Sequence, residues 1–185
     1  MYYILACFGP DDQDRAAIGN VVNTKVNWQL GRRFEQSPPT PVLVDLNPEF
    51  PGMLMPMFDK GILLFTEQML RSVRAAGVDN LDVYDAVLRD PNSGTTYDTH
   101  KAINIIGTIA AADLDQSVWE APSGTPLVDT DFDSLSIDER RTRGARMFRL
   151  AECVTAIVIH ERVKNQLVHD GIPYLDFVEP RDFVG

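Results

Sequence analysis

One stretch of the chain occurs twice. Residues 156–178, AIVIHERVKNQLVHDGIPYLDFV, align without a gap on residues 62–84, ILLFTEQMLRSVRAAGVDNLDVY, at a shift of 94 positions. Glu161 falls on Glu67, Gly171 on Gly77, Leu175 on Leu81 and Asp176 on Asp82. Both copies read as a strand, a helix, a glycine stop and a second strand. Leu63-Leu64-Phe65 and Ile157-Val158-Ile159 are unbroken apolar runs, as strands buried on both faces require. Thr66 is a good N-cap, and Glu67 puts negative charge on the first turn, where the helix dipole favours it. Met69, Leu70, Val73 and Ala76 recur at helical spacing, as do Val163 and Leu167 later, so each helix has one apolar stripe. Gly77 and Gly171 sit where a left-handed C-cap favours a residue without Cβ. Four identities in 23 positions fit either an ancient duplication or a shared strand–helix–strand grammar. In both cases the unit is scaffold, because its polar positions converge on no chemistry.

The rest of the chain punctuates around these units. Tyr2 to Phe8 reads as a first strand closed by a turn at Pro10-Asp11-Asp12. Val21 to Leu30 reads as a strand leading to Trp28. Pro48, Pro51 and Pro56 bar regular helix from Asn47 to Met57, which reads as an irregular loop. Leu81 to Leu88 and Thr95 to Ile106 flank Asp90-Pro91-Asn92-Ser93-Gly94 and predict a β-hairpin. Asp113 to Trp119 reads as a strand end or short turn, Pro122 to Pro126 as loop and Leu135 to Ile137 as a short strand. The arginine-rich 139–146 segment reads as a solvated turn or helical piece, and Met147 to Leu150 as the strand entering the second unit. Strands outnumber helices, so the expectation is α+β, with a mostly antiparallel or mixed sheet and few helices. A length of 185 residues suits a single domain that buries roughly 70% of its unfolded surface.

Charge narrows the function classes. The net charge is −10, and the segment 113–139 holds eight acids with no Lys or Arg. Nucleic-acid binding calls for the opposite bias, whereas a basic protein partner suits such a surface. Cys7 and Cys153, 146 positions apart, read as two reduced thiols of a cytosolic protein. The N-terminal segment lacks the basic region of a signal peptide, and no run approaches the ~20 apolar residues of a membrane span.

Motifs of catalysis are missing: there is no GxSxG, P-loop, HExxH or GxGxxG. His160 occupies the cap slot that Thr66 fills in the first copy, His169 a last helical turn and His100 a hairpin strand. None of the three is expected to be catalytic. Asp129-Thr130-Asp131-Phe132-Asp133 opens like a calcium loop, but position six is Ser134 and position twelve Arg140, so no metal site is expected. The preferred reading is a docking surface of Asp113, Asp115, Glu120, Asp129, Asp131 and Asp133, with Trp119 and Phe132 as apolar anchors. Two alternatives stay open: a hydrolase using a carboxylate pair in a cleft, and a ligand-binding regulatory domain marked by an apolar pocket of roughly 300 Å³ or more.

The order Tyr2-Tyr3-Ile4-Leu5, Ile103-Asn104-Ile105-Ile106, Asp113-Leu114-Asp115-Gln116-Ser117, Met147-Phe148-Arg149-Leu150-Ala151-Glu152, Ile157-Val158-Ile159-His160-Glu161-Arg162-Val163 and Gly171-Ile172-Pro173-Tyr174-Leu175-Asp176-Phe177 resembles a known family. It is the myxobacterial-type immunity-protein family of bacterial polymorphic toxin systems, and the likeness is best over residues 97–180. The resemblance implies a small cytoplasmic protein, without catalytic residues or cofactor, that binds and neutralises a cognate toxin, often a nuclease. It does not fix the toxin-contacting residues, so the acidic set above rests on charge alone.

Overall fold

Both copies of the repeated stretch fold as strand, helix and strand. The structure, a computed structural model, describes all residues except 10–14, 123 and 127. The turn expected at Pro10-Asp11-Asp12 and Ser123 of the 122–126 loop lie outside the described residues. In chain order the strands begin with β1 (Tyr2–Cys7), β2 (Ala16–Val21), β3 (Val42–Pro51), β4 (Met57–Phe58), β5 (Leu63–Thr66), β6 (Leu81–Arg89) and β7 (Thr96–Tyr97). They continue with β8 (His100–Ile105), β9 (Thr108–Ile109), β10 (Val118–Glu120), β11 (Asp131–Ser134), β12 (Met147–Leu150), β13 (Ile157–His160) and β14 (Leu175–Val178). The helices are α1 (Glu67–Ala75), α2 (Glu139–Thr142) and α3 (Glu161–His169). Among the described residues none is long and apolar enough to cross a membrane.

The fold is α+β, and its ladders are antiparallel except for β3–β6 and β9–β12, which run parallel. One sheet has the order β2-β3-β6-β8-β5-β4, with β7 added to β6; a second has the order β14-β1-β13-β12-β9. The repeat is deeper than the aligned sequence. In the first unit β8 inserts antiparallel between β5 and β6; in the second β1 inserts between β13 and β14. The registers agree residue for residue. His100 faces Thr66 as Tyr2 faces His160, and Ile105 faces Leu81 as Cys7 faces Leu175. Met57-Phe58 and Met147-Phe148 then pair with the equivalent residues of β5 and β13.

Local chemistry sets each unit. The Thr66 hydroxyl accepts from the Met69 N–H at 3.3 Å, and His160 Nδ1 from the Arg162 N–H at 3.1 Å, so both helices are capped by a side chain. Gly77 and Gly171 close the helices at φ +87° and +66°. Strand residues alternate between two cores. Leu63, Phe65, Tyr3, Leu5, Ile103, Ile157 and Ile159 join Met69, Val73, Val163 and Leu167 of the helices in one shared cluster. The opposite faces feed separate clusters, one with Trp28, β2 and β3, the other with Ala111, Ala112, Phe132 and Leu135.

Polar bonds stitch the units together. Asp170, at the end of α3, accepts from the Ser72 hydroxyl of α1 at 2.6 Å and from Gln166 Nε2 at 3.0 Å. Arg146 Nη1 donates to the carbonyls of Ala76 and Gly77 at the end of α1, both at 3.0 Å. Asn80 Nδ2 bridges the Ile106 and Met147 carbonyls.

Three expectations are corrected. Residues 22–30 are not a strand: Thr24 and Asn27 turn the backbone by local side-chain bonds, Thr24 Oγ1 accepting from the Val26 N–H and Asn27 Oδ1 from the Gln29 N–H, while the Asn23 side chain ties the segment to Pro41 and Leu43. The strand lies earlier, in β2. Pro48 and Pro51 do not make a loop but end β3, whose last residues past Asp45 pair only with β2, an edge position that tolerates proline. Leu135 to Ile137 is not a strand; the pairing falls on Asp131–Ser134, and Ile137 makes only an isolated bridge with Ala112. The hairpin expected at residues 90–94 forms, with β7 and β8 broken apart at Asp98-Thr99.

Two tests follow from the seam. Gly171→Ala should lose about 1 kcal/mol in chemical denaturation, the cost of a Cβ in a left-handed position. Gly77→Ala should lose more, because its Cβ would meet the Arg146 guanidinium that holds the units together. Asp170 is a pH probe. Hydrogen bonds from Ser72 first, then Gln166 and His169, lower its pKa from 3.8 to about 2. The stability it gives is present above the unfolded value and disappears as pH falls through about 2. Denaturant midpoints of Asp170→Asn should therefore lie below wild type at neutral pH and converge with it at about pH 2.

Candidate partner-binding surface

The acid-rich segment folds over the outer face of the second sheet. The sequence Asp131-Phe132-Asp133 alternates polar and apolar at the strand period, and β11 uses it that way. Phe132 turns inward, 1% exposed, onto the cluster that contains Tyr2, Ile4 and Phe148. Trp119 of β10 pairs with it, half-buried on the same cluster, and its Nε1 donates to the Leu114 carbonyl at 3.2 Å. Asp131 and Asp133 point to solvent, and Glu120 stands directly opposite Asp131.

The expected docking residues therefore divide. Glu120, Asp131 and Asp133 share the exposed face of the two-stranded β10–β11 ribbon. Val118, 58% exposed, lies on the same strand two residues before Glu120. Phe132 is corrected: it is a core residue that fixes the ribbon to the sheet, not an anchor free to enter a partner. Trp119 presents only its outer part. Asp129 is exposed next to an isolated bridge with Cys153. Asp115 is exposed in the turn that precedes β10, held there by bonds from the Ser117 hydroxyl to the Asp113 carbonyl and from the Ser136 N–H to Ser117 Oγ. Asp113 is half-buried at the start of that turn, and its field reaches Arg140.

The acids of this face stand apart from those that hold a cation. Asp138 grips Arg140 and Arg141, Asp45 grips Arg89, and Asp85 grips Lys101. Asp115, Glu120, Asp129, Asp131 and Asp133 hold no cation and no side-chain hydrogen bond among the described residues. Like charges placed opposite each other across strands are destabilising, by roughly 0.2–1 kcal/mol per pair. Sequence reasoning missed Val118 as an exposed apolar group, although its alternation with Trp119 was the available signal. It also missed Val184, 74% exposed, which the backbone pairing of Gly185 with Phe132 brings to the ribbon.

Other candidate chemistry is placed as follows. His100 is 1% exposed between the Thr99 hydroxyl and the Met55 carbonyl, and burial lowers its pKa, so it is neutral at pH 7. Desolvation raises the carboxyls of Asp59 and Glu152. They are not a pair in one cleft: Glu152 is buried beneath the acidic ribbon, while Asp59 lines a surface cleft elsewhere. Five surface cavities are each lined by a single carboxylate among the described residues: Asp79, Asp59, Asp138, Glu35 and Asp82. No three His, Cys, Asp or Glu side chains among the described residues converge to hold a metal ion.

A comparison with models of known protein families finds no match, and no curated protein matches the chain.

The facing acids generate their own test. Glu120→Lys would turn a repulsive cross-strand pair into an attractive one, and should raise unfolding stability by about 0.5 kcal/mol at low salt, an effect that fades in 1 M salt. A loss of stability in that variant would mean the two carboxylates are not opposed.

Proposed function

We propose that the chain is an immunity protein: a cytoplasmic, non-enzymatic inhibitor that binds a cognate toxin through the β10–β11 ribbon. The observation that carries this reading is the exposed set Glu120, Asp131 and Asp133, unpaired and mutually repelling on a ribbon anchored from beneath by Phe132 and Trp119. Such an arrangement costs stability in the free protein and gains it when cations arrive from outside. A basic protein surface supplies them. A nuclease domain is the leading candidate, since it must hold phosphate with Lys and Arg, and a carboxylate surface competes for the same side chains. The sequence resemblance to the polymorphic-toxin immunity family points the same way.

Two energetic roles separate. The carboxylates steer encounter over about a Debye length, roughly 10 Å at 0.1 M salt, and so raise the association rate. Affinity after contact comes from desolvating apolar surface, for which Val118, Val184 and the outer part of Trp119 are available. The ribbon's own fold does not depend on the acids, because the side chains that pack it are Phe132 and Trp119.

Co-expression with the product of the adjacent gene tests the reading, scored by rescue of growth and by co-purification. Replacing Asp129, Asp131 and Asp133 together by Asn should leave the fold intact and slow association with that product by about tenfold at low salt, with a flatter salt dependence. Unchanged association kinetics would remove this face from the interface; failure of both rescue and co-purification would remove the toxin.

A further inference from the structure

A cleft of about 430 Å³ opens where β1 ends, β2 begins and β4 ends. Its walls are the buried side chains of Ile18, Met55, Met57 and Phe58, and its rim carries Arg15, Asp59 and Lys60. The Cys7 thiol also lines it. Burial pushes that thiol up to about 11, so at pH 7 it is a neutral wall and not a nucleophile. A volume of this size belongs to the class that takes small molecules, roughly 300–1,000 Å³, and is too small for a polymer.

Among the described residues the rim carries two cations, Arg15 and Lys60, against one carboxylate, Asp59. Arg15 donates to the Cys7 carbonyl at 3.0 Å and is held at the rim by that bond. Lys60 is exposed and has no ion-pair partner among the described residues. Thr155 lines the cleft, and the carbonyl of its neighbour Val154 accepts from Nη1 of Arg149, 1% exposed, at 2.8 Å. Arg149 Nε finds no acceptor, and no carboxylate among the described residues lies within salt-bridge distance of this guanidinium. Asp59, which lines the cleft, is the acid whose field reaches it. An arginine buried with an orphan N–H and no paired carboxylate is costly, and an anion brought to the cleft would relieve that cost.

We propose that this cleft binds a small amphipathic anion. Its carboxylate or phosphate head lies at the Arg15–Lys60 rim, and its short apolar body runs along Ile18, Met55, Met57 and Phe58. The site uses none of the acidic ribbon's residues, so it stands or falls apart from the toxin-binding reading.

The test uses the full chain labelled at the methionine methyl groups and four probes of one tail length: hexanoate, hexyl phosphate, hexylammonium and hexanol. The Met55 and Met57 methyl resonances should shift with the anions and not with the cation. Hexanoate alone would assign a carboxylate head, and tighter binding of hexyl phosphate a phosphate head. Lys60→Glu, a change at an exposed position, should weaken the better anion about tenfold. Binding of hexanol or hexylammonium as tightly as the anions, indifference to Lys60→Glu, or unmoved methyl resonances with all four probes would each overturn the proposal.

Discussion

The whole molecule depends on one shared hydrophobic cluster in which the stripes of α1 and α3 meet the inward residues of both sheets. Neither strand–helix–strand unit could bury its own stripe. Met69 and Val73 need cover beyond their own strands, as do Val163 and Leu167, and each helix gives that cover to the other. The polar bonds of the seam reinforce the choice of partner. Asp170 spans from α3 to Ser72 of α1, and Arg146, which precedes β12, satisfies the carbonyls left open at the end of α1. Apolar burial holds the units together and these bonds fix how they sit, because hydrophobic contact alone is not directional.

Around that seam the two units are the same device with different coverings. Matching registers through β4-β5-β8-β6 and β12-β13-β1-β14 place equivalent residues at equivalent depths, so the outer face of each sheet is left apolar and must be covered. The first is covered by Trp28 and the β2–β3 pair. The second is covered by the segment that carries the acids, which is why those acids are displayed: Phe132 and Trp119 face the sheet, and a strand with its apolar residues inward must turn Asp131 and Asp133 outward. The same equivalence puts Asp59 and Arg149 one residue past the two Met-Phe pairs. Identical scaffolding has thus been given opposite charges, one open to solvent and one buried.

Legibility in the sequence followed the range of the interactions. The caps at Thr66 and His160, the glycine stops and the helical stripes were readable because each depends on residues within one or two turns. The hairpin at Asp90 to Gly94 was readable for the same reason. The β11 strand was missed because aspartate disfavours strands by propensity, and only the apolar sheet beneath supplied the energy that overrode it. Phe132 looked like an exposed anchor for a similar reason: a large apolar residue among acids has no local partner, and its partners Tyr2 and Phe148 lie far away in the chain. The cleft at Cys7 was not legible at all, since it joins the ends of three strands to Thr155.

The sequence by itself determined that two strand–helix–strand units would form, that strand would outweigh helix, and that the negative charge would be concentrated in residues 113–139. Those are properties of neighbours along the chain, set by periodicity, caps and composition. Only the tertiary structure decided that β1 and β8 would complete the units from opposite sides of the sequence, and that Glu120 would face Asp131. It alone buried Arg149 with no paired carboxylate among the described residues. Each of these is a contact between distant segments, and its free energy comes from surface that becomes buried only once both segments are in place.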